Sequence, residues 1–335
     1  MTELRAIGRV LVTGAAGFIG ARLALHLAAA GVPVRALVRD ITHATRVQRG
    51  PLELSRGDVT ESASLMTALA DIDTVFHCAA LVTGDALPYE DFHSVNVVGT
   101  QNLLSACRAQ ARELRVVHVS SVGVYGTIAR GTVADEAHPT APRSHYGVSK
   151  LAAEQVVLAA HQAGLPTVIA RPMWVYGADS PGVVRLFRLI ARQRMLLLGN
   201  AGNAIQPLAV DDLVDGLVRC ATVPAIEGEI FNFAGPQPMA TATLCYNIAQ
   251  ALGVPAPRLR IPLWAAILAA RVCEAAYPRA WGKAPINREK LGFFITEHAY
   301  SIAKAARVLG WQPRTDFMTG ASAIVHASRE QGALR

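Results

Sequence analysis

The feature that most constrains this chain lies close to its start, where Val10-Leu11-Val12-Thr13 runs directly into Gly14-Ala15-Ala16-Gly17-Phe18-Ile19-Gly20. The run, three apolar residues and a β-branched threonine, reads as a buried strand. Ile19, Leu23 and Leu27 then recur at helical spacing, which predicts a helix over residues 18–30 stopped by Gly31. Gly14 permits the tight turn between the two, Gly17 lets a pyrophosphate approach the backbone at the helix N-terminus, and Gly20 lets the helix pack closely. A glycine-rich turn without a ligand would need neither the strand before it nor the helix after it. The pattern points to a dinucleotide.

The same alternation continues for half the chain. Strands are predicted at Val34–Val38, residues 52–55, Thr74–His77, residues 116–120 and residues 167–170. Helices are predicted near residues 62–70, 91–112 and His145–Gln162. Strands separated by helices of this length imply right-handed crossovers. The expected fold class is therefore α/β: a Rossmann-type, doubly wound parallel sheet covered on both faces. After about residue 172 Pro and Gly become frequent, a lone strand stands at residues 229–233, and helices predominate. This predicts a dinucleotide-binding domain over residues 1–172 and a smaller, mostly helical, substrate-binding part over 173–335. The segment around 205–234, with a helix at 210–221, is expected to fold back onto the first domain.

Composition narrows the function classes. A chain of 335 residues suffices for about two domains, and 52% apolar with 17% charged residues is a globular balance. The net charge of +7 is dispersed over single arginines, and aromatics reach only 6%, so an anionic small ligand fits better than a nucleic-acid groove. Five cysteines without a CxxC pair suit a reducing compartment. The first residues hold an early acid and no apolar h-region, against a signal peptide. Residues 261–276, the longest apolar stretch, contain Arg271 and Glu274 and are too short to cross a bilayer. A soluble, cytoplasmic protein is expected. The ten histidines lack metal-ligand spacing, so no metal is expected.

With its GxxGxxG spacing the sequence begins to resemble the short-chain dehydrogenase/reductase superfamily, and further segments carry the likeness in order. These are Gly57-Asp58-Val59, His77-Cys78-Ala79-Ala80, Asn96 to Thr100, Val119-Ser120-Ser121 to Gly126, Tyr146 to Lys150, and Arg171 to Gly177. Together they resemble the extended branch, often called the NAD-dependent epimerase/dehydratase family, and the likeness runs on to residues 305–313. It implies a nicotinamide cofactor lying along Gly14, Gly17, Phe18 and Ile19, with Asp58 and Val59 near its adenine. It also implies cofactor contacts at Ala79, Pro172 and Val175, and at Tyr146 and Lys150. It implies Ser121, Tyr146 and Lys150 as catalytic residues, and a homodimer.

The residues themselves agree with that chemistry. Tyr146 and Lys150 are four apart and share one helical face. A tyrosine titrating near 10 is a poor acid–base group at neutral pH, and a cation beside it favours the phenolate. Ser121, at a strand end, is placed to hydrogen-bond a substrate oxygen. An acid closing the second strand would bond the ribose hydroxyls of NAD and repel a 2′-phosphate. That position is Val38, followed by Arg39, with Arg35 in the same strand. A guanidinium there points to NADP(H) over NAD(H), while Asp40, one step late, keeps NAD(H) as the alternative. His145 reads as a neighbour of the helix start, and no Cys–His pair reads as a nucleophile.

The substrate side narrows the reaction. Sugar-nucleotide members of the resembling branch read Arg-x-x-Asn-x-x-Gly after the sixth strand, their Asn binding a diphosphate; Trp174 stands there in this chain. The acid pair that dehydratases carry after the serine is replaced by Val122 and Gly123. Residues 261–276 predict an apolar helix over the substrate, which resembles the 3β-hydroxysteroid-dehydrogenase-like and dihydroflavonol-reductase-like branch. A core or dimer-interface helix is its equal alternative. A membrane-surface helix is disfavoured, because its polar face is poor in basic residues. The expected function is an NADP(H)-dependent oxidoreductase interconverting a ketone and a secondary alcohol on an apolar small molecule (steroid-, polyketide-, flavonoid- or 3-oxoacyl-like). The alternatives are a sugar-nucleotide 4-epimerase or dehydratase with tightly held NAD, and a non-catalytic dinucleotide-binding regulator. The last is disfavoured by the presence of both Tyr146 and Lys150.

Overall fold

The structure, a computed structural model, describes residues 7–48, 50–82, 87–277, 291–292, 295–330 and 332. Its centre is a sheet of seven strands: β1 (Val10–Thr13), β2 (Val34–Val38), β3 (Glu53–Arg56), β4 (Thr74–His77), β5 (Arg115–Val119), β6 (Thr167–Pro172) and β7 (Ile230–Phe233). The spatial order is β7-β6-β5-β4-β1-β2-β3, and every neighbouring pair is parallel. β1, β2, β4 and β6 are buried at every residue, because helices cover both faces. The helices are α1 (Phe18–Ala29), α2 (Ser62–Ala68), α3 (Gly99–Arg108), α4 (His145–Gln162), α5 (Pro181–Ala191), α6 (Val210–Thr222), α7 (Thr241–Leu252), α8 (Leu263–Ala276), α9 (Ala303–Leu309) and α10 (Phe317–Glu330).

Leu23 and Leu27 of α1 pack with Leu213 and Leu217 of α6 and with Trp311 on one side of the sheet. On the other side, Leu65 of α2, Leu103 and Leu104 of α3, and Val157 of α4 form the matching layer. A third cluster, including Tyr125, Phe187, Ile248, Phe317 and Ile324, lies beyond the strand ends and is built mainly by residues after 172. Strand order reverses between β1 and β4. Ligands of open parallel sheets bind in the crevice outside that point.

The lone strand expected at residues 229–233 is β7, which pairs with β6 from Ile230 opposite Ile169 to Phe233 opposite Pro172. The late segment thus returns to the sheet. The helix expected over residues 91–112 is interrupted: Tyr89–Phe92 form one turn, His93–Val98 are π-helical, and α3 begins at Gly99. Asn96 lies in the widened turn, its side chain bonding Leu81 N and O at 2.7 and 3.0 Å and Ser149 Oγ at 2.9 Å. Regular periodicity does not reveal such a turn. Two-residue strand pairs also tie residues 197–198 to 260–261 and 204–205 to 239–240. Elements that short carry no readable pattern.

Candidate active site

The carboxyl end of β1 opens into the glycine loop. Gly14 has a φ of +67°, and a Cβ there would stand 2.7 Å from the Ala79 backbone just beyond β4. Only glycine lets these two strand ends come so close. α1 then begins with Gly17 at its N-cap, with no side-chain cap and no acid in the first turn, so its leading N–H groups face outward for an anion. Ile19 packs on the core beneath, and Phe18 presses its ring against Gly177, where a Cβ would lie 2.9 Å from Phe18 Cζ. Pro172 closes β6, and Val175 follows, half-buried. An open helix start over a strand crossing that tolerates no side chain fits the pyrophosphate of a dinucleotide.

At the end of β2, Val38 is buried while Arg39 and Asp40 are exposed. The Asp40 carboxylate accepts from Thr42 N at 2.8 Å and Thr42 Oγ1 at 2.5 Å, and pairs with His43 Nδ1 at 2.6 Å. These bonds, led by the Thr42 hydroxyl, hold its pKa well below the usual carboxylate range. Arg39 makes no ion pair among the described residues. Arg35 serves elsewhere: its guanidinium bonds Glu53 Oε1 at 2.7 Å and the carbonyls of Ala68 and Ala70 at 2.9 and 2.8 Å. It sits four residues before Arg39, about 13 Å back along the strand. Asp58 bonds back to Thr60 N and Oγ1, both at 2.9 Å, and Val59 is buried against Gly99.

One arginine was not foreseen. Arg46 donates to the Ala16 carbonyl of the glycine loop at 3.1 Å and to the Asp179 carbonyl at 2.9 Å. It lies in an irregular segment, where no periodicity marks a residue that reaches so far.

Ser121 follows β5, and its Oγ accepts from Gly123 N at 3.0 Å to start a short turn at Val122–Tyr125. α4 begins beside that turn, capped by Ser144 Oγ on Gly147 N at 3.0 Å. A Cβ on Gly147 would stand 2.7 Å from the Gly123 carbonyl oxygen. This close approach brings Tyr146 beside Ser121: a Cβ on Gly123 would stand 3.3 Å from Ser121 Oγ and 4.0 Å from Tyr146 Cδ1. Lys150, one turn further and only 1% exposed, donates from Nζ to the Val119 carbonyl at 2.7 Å and lies 3.5 Å from His118 Nε2.

The electrostatics differ from the sequence expectation in one respect. Burial raises the Tyr146 pKa, and the neighbouring Ser121 hydroxyl works in opposition. The ammonium of Lys150 points at the end of β5 rather than at the phenol. Burial brings Lys150 down to about 8, against the attraction of Glu154 one turn on. Glu154 is itself bound by Arg171 through two bonds of 2.9 and 2.7 Å and accepts from Ser120 Oγ at 2.5 Å. Arg171 also donates to Tyr125 Oη at 2.8 Å, and Tyr125 donates to Asn232 Oδ1 at 2.7 Å. This buried chain ties β5, α4, β6 and β7 into the floor beneath Ser121.

His77 bridges Thr13 Oγ1 at 2.8 Å and Thr100 Oγ1 at 2.9 Å, and burial lowers its pKa to about 3. Burial pushes the Cys78 thiol up to about 12. A neutral strut and an un-ionised thiol do not make a nucleophile pair. The His145 ring packs on Tyr89 and Phe92 at 5.9 and 6.1 Å, beside the helix start.

Comparison with known proteins agrees with this geometry. Residues 10–234 match the model of the NAD dependent epimerase/dehydratase family. The chain is 31% identical to the 4-hydroxy-2-methyl-3-oxo-4-farnesyl-3,4-dihydroquinoline-1-oxide ketoreductase of Stigmatella aurantiaca, over 97% of this chain and 98% of that protein. It is also 31% identical to the 2-alkyl-3-oxoalkanoate reductase of Stenotrophomonas maltophilia (strain K279a), over 93% and 97% respectively. Among solved structures, MoeE5 in complex with UDP-glucose and NAD is 29% identical with a TM-score of 0.78, covering 97% of this chain and 99% of that one. The chain therefore belongs to the NAD-dependent epimerase/dehydratase family, the extended short-chain dehydrogenases/reductases, and is an NAD(P)-dependent enzyme acting on CH–OH groups.

Proposed function

We propose that this enzyme is an NADP(H)-dependent oxidoreductase that interconverts a ketone and a secondary alcohol on an apolar small molecule, with Ser121, Tyr146 and Lys150 as its catalytic residues. The observation that carries the reading is the juxtaposition of Ser121 and Tyr146 around Gly123, with buried Lys150 one turn behind. Two hydroxyls meeting at one point suit a carbonyl oxygen that must be held and then protonated. When bound, the nicotinamide supplies or takes the hydride. Ser121 Oγ hydrogen-bonds the ketone oxygen and holds it against Tyr146 Oη. The phenol is protonated at neutral pH, and burial raises its pKa further, so in reduction Tyr146 gives its proton to that oxygen as negative charge develops there. Lys150, titrating near 8, is still mostly charged at pH 7 and stabilises the phenolate left behind. Oxidation runs the proton the other way.

Two features support a 2′-phosphate on the cofactor. Arg39 is exposed without an ion pair among the described residues, and the Asp40 carboxylate is already engaged by Thr42 and His43. On the substrate side, the relatives named above reduce an oxo group beside hydrocarbon, on a farnesyl-bearing ring or a 2-alkyl-3-oxoalkanoate. Trp174 is half-buried against the late cluster, and an indole does not offer the hydrogen bonds of an amide. Residues after 172, apart from α6 and β7, are proposed to form the substrate-binding part.

The likeness to MoeE5 with its UDP-glucose and NAD favours the second reading, an epimerase that retains its nicotinamide. Absorbance at the reduced-nicotinamide band, followed with a panel of apolar ketones and of sugar nucleotides, separates the two. Stoichiometric NADPH loss with a ketone is expected. Sugar inversion with no net loss, on protein that purifies with NAD, would overturn the proposal.

A further inference from the structure

α8 is built the wrong way round for a helix packed on a soluble core. Its buried residues are Ala266 and Ala270, whereas Trp264, Leu268 and Val272 are 71%, 54% and 59% exposed. Spaced four apart, these three form one stripe down the helix. Leu259 and Leu263, 67% and 38% exposed, stand at its head. An amphipathic helix of a globular domain normally buries its large apolar residues and exposes its small or polar ones.

The charge around the stripe is as one-sided as its hydropathy. Arg258, Arg260 and Arg271 are exposed and form no ion pair among the described residues. The Arg260 guanidinium holds only the Asn200 carbonyl, at 3.2 Å. The described residues 255–277 hold these three basic residues and one acidic residue, Glu274. The polar face of the helix itself is poor in basic residues; Arg258 and Arg260 come from the segment just before it.

We propose that α8 docks this protein on an anionic lipid surface, lying in the plane of the headgroups with Trp264, Leu268 and Val272 inserted. The indole belongs at the headgroup level, the aliphatic side chains in the acyl boundary, and the three guanidiniums on lipid phosphates. The helix lies on the bilayer and does not span it, because none of the described helices is long and apolar enough to cross. A second copy is a poorer occupant. Two-fold pairing of this face sets arginines against arginines.

Sedimentation of the full chain with vesicles tests the proposal. Binding is expected to vesicles containing phosphatidylglycerol, weaker by roughly tenfold or more to pure phosphatidylcholine and in high salt. The double substitution Leu268→Glu with Val272→Glu is expected to lose that binding while the thermal midpoint and NADPH affinity stay unchanged. Arg258→Gln with Arg271→Gln, which leaves the stripe intact, is expected to weaken binding to the anionic vesicles only. Trp264→Phe should abolish the blue shift of tryptophan emission on mixing. Failure to sediment with anionic vesicles overturns the proposal, as does equal binding by the glutamate variant. A dimer that this variant dissociates, in protein that ignores both kinds of vesicle, assigns the face to a second copy instead.

Discussion

Burial lifts the Tyr146 phenol above the ordinary tyrosine value, and Ser121 is the neighbour that works against that burial. Tyr146→Phe retains the ring and removes only the oxygen that carries the proton. Single-turnover reduction is expected to slow by about 10²-fold or more, with NADPH affinity nearly unchanged. Near-full activity would remove Tyr146 from the mechanism. Arg39→Ala should raise the KM for NADPH far more than for NADH, since a charge-assisted contact is worth about 1.5–3 kcal/mol. An unaltered preference between the two cofactors would show that another group reads the phosphate, and Arg46 is the next to test. Lys150 gives a pH signature. Its pKa falls from 10.5 to about 8, so below pH 8 the folded chain holds a charge that burial penalises by about 3 kcal/mol. Between those values the folded state has shed the proton while the unfolded chain keeps it, and stability rises with pH. Relative to Lys150→Met, the native chain should therefore gain stability as pH rises from about 7 to 10 in denaturant titrations. A constant difference would place the Lys150 pKa elsewhere.

At the scale of elements, the distance between the Ser121 turn and α4 sets the geometry. Gly147→Val puts a branched side chain where a Cβ already stands 2.7 Å from the Gly123 carbonyl. Overpacking there is expected to cost about 1–3 kcal/mol and to separate Tyr146 from Ser121. Turnover should collapse while NADPH binding, measured by fluorescence, survives; full turnover would show that the turn adapts. Glu154→Leu leaves the Arg171 guanidinium buried without its carboxylate, a change typically costing 3–5 kcal/mol. A thermal midpoint within a degree of the native value would mean that water or another acid replaces it. Strands of four or five residues rich in β-branched and apolar side chains were legible because their pattern is local, as in β1, β2 and β4. The break before α3 was not, because a widened turn leaves the apolar spacing almost unchanged.

At the scale of the whole molecule, the strand ends converge on one crevice, so a ligand there is coupled to global stability. A dinucleotide that binds only the folded chain adds about 2.7 kcal/mol at a hundred times its Kd. NADPH is expected to raise the thermal midpoint by several degrees, and NADH at equal concentration by less. Equal shifts would contradict the role given to Arg39. The expected boundary near residue 172 is also a matter of this scale. β7 and α6 belong to the sheet layer although they follow that point in sequence, and the late cluster recruits Val122 and Tyr125 from before it.

By itself the sequence determined the parallel α/β sheet, the glycine loop at the end of β1 and the helical face shared by Tyr146 and Lys150. Alternation, glycine placement and four-residue spacing act between neighbours along the chain, so they can be read there. The tertiary structure alone decided that Gly14 meets Ala79, that Tyr146 stands beside Ser121, and that Lys150 points at Val119. It also decided that Asp40 is engaged while Arg39 is open, that Arg46 reaches the glycine loop, and that α8 turns its tryptophan outward. Each of these depends on which distant residues come together and which groups leave water. Both are properties of the packed chain, and no local pattern encodes them.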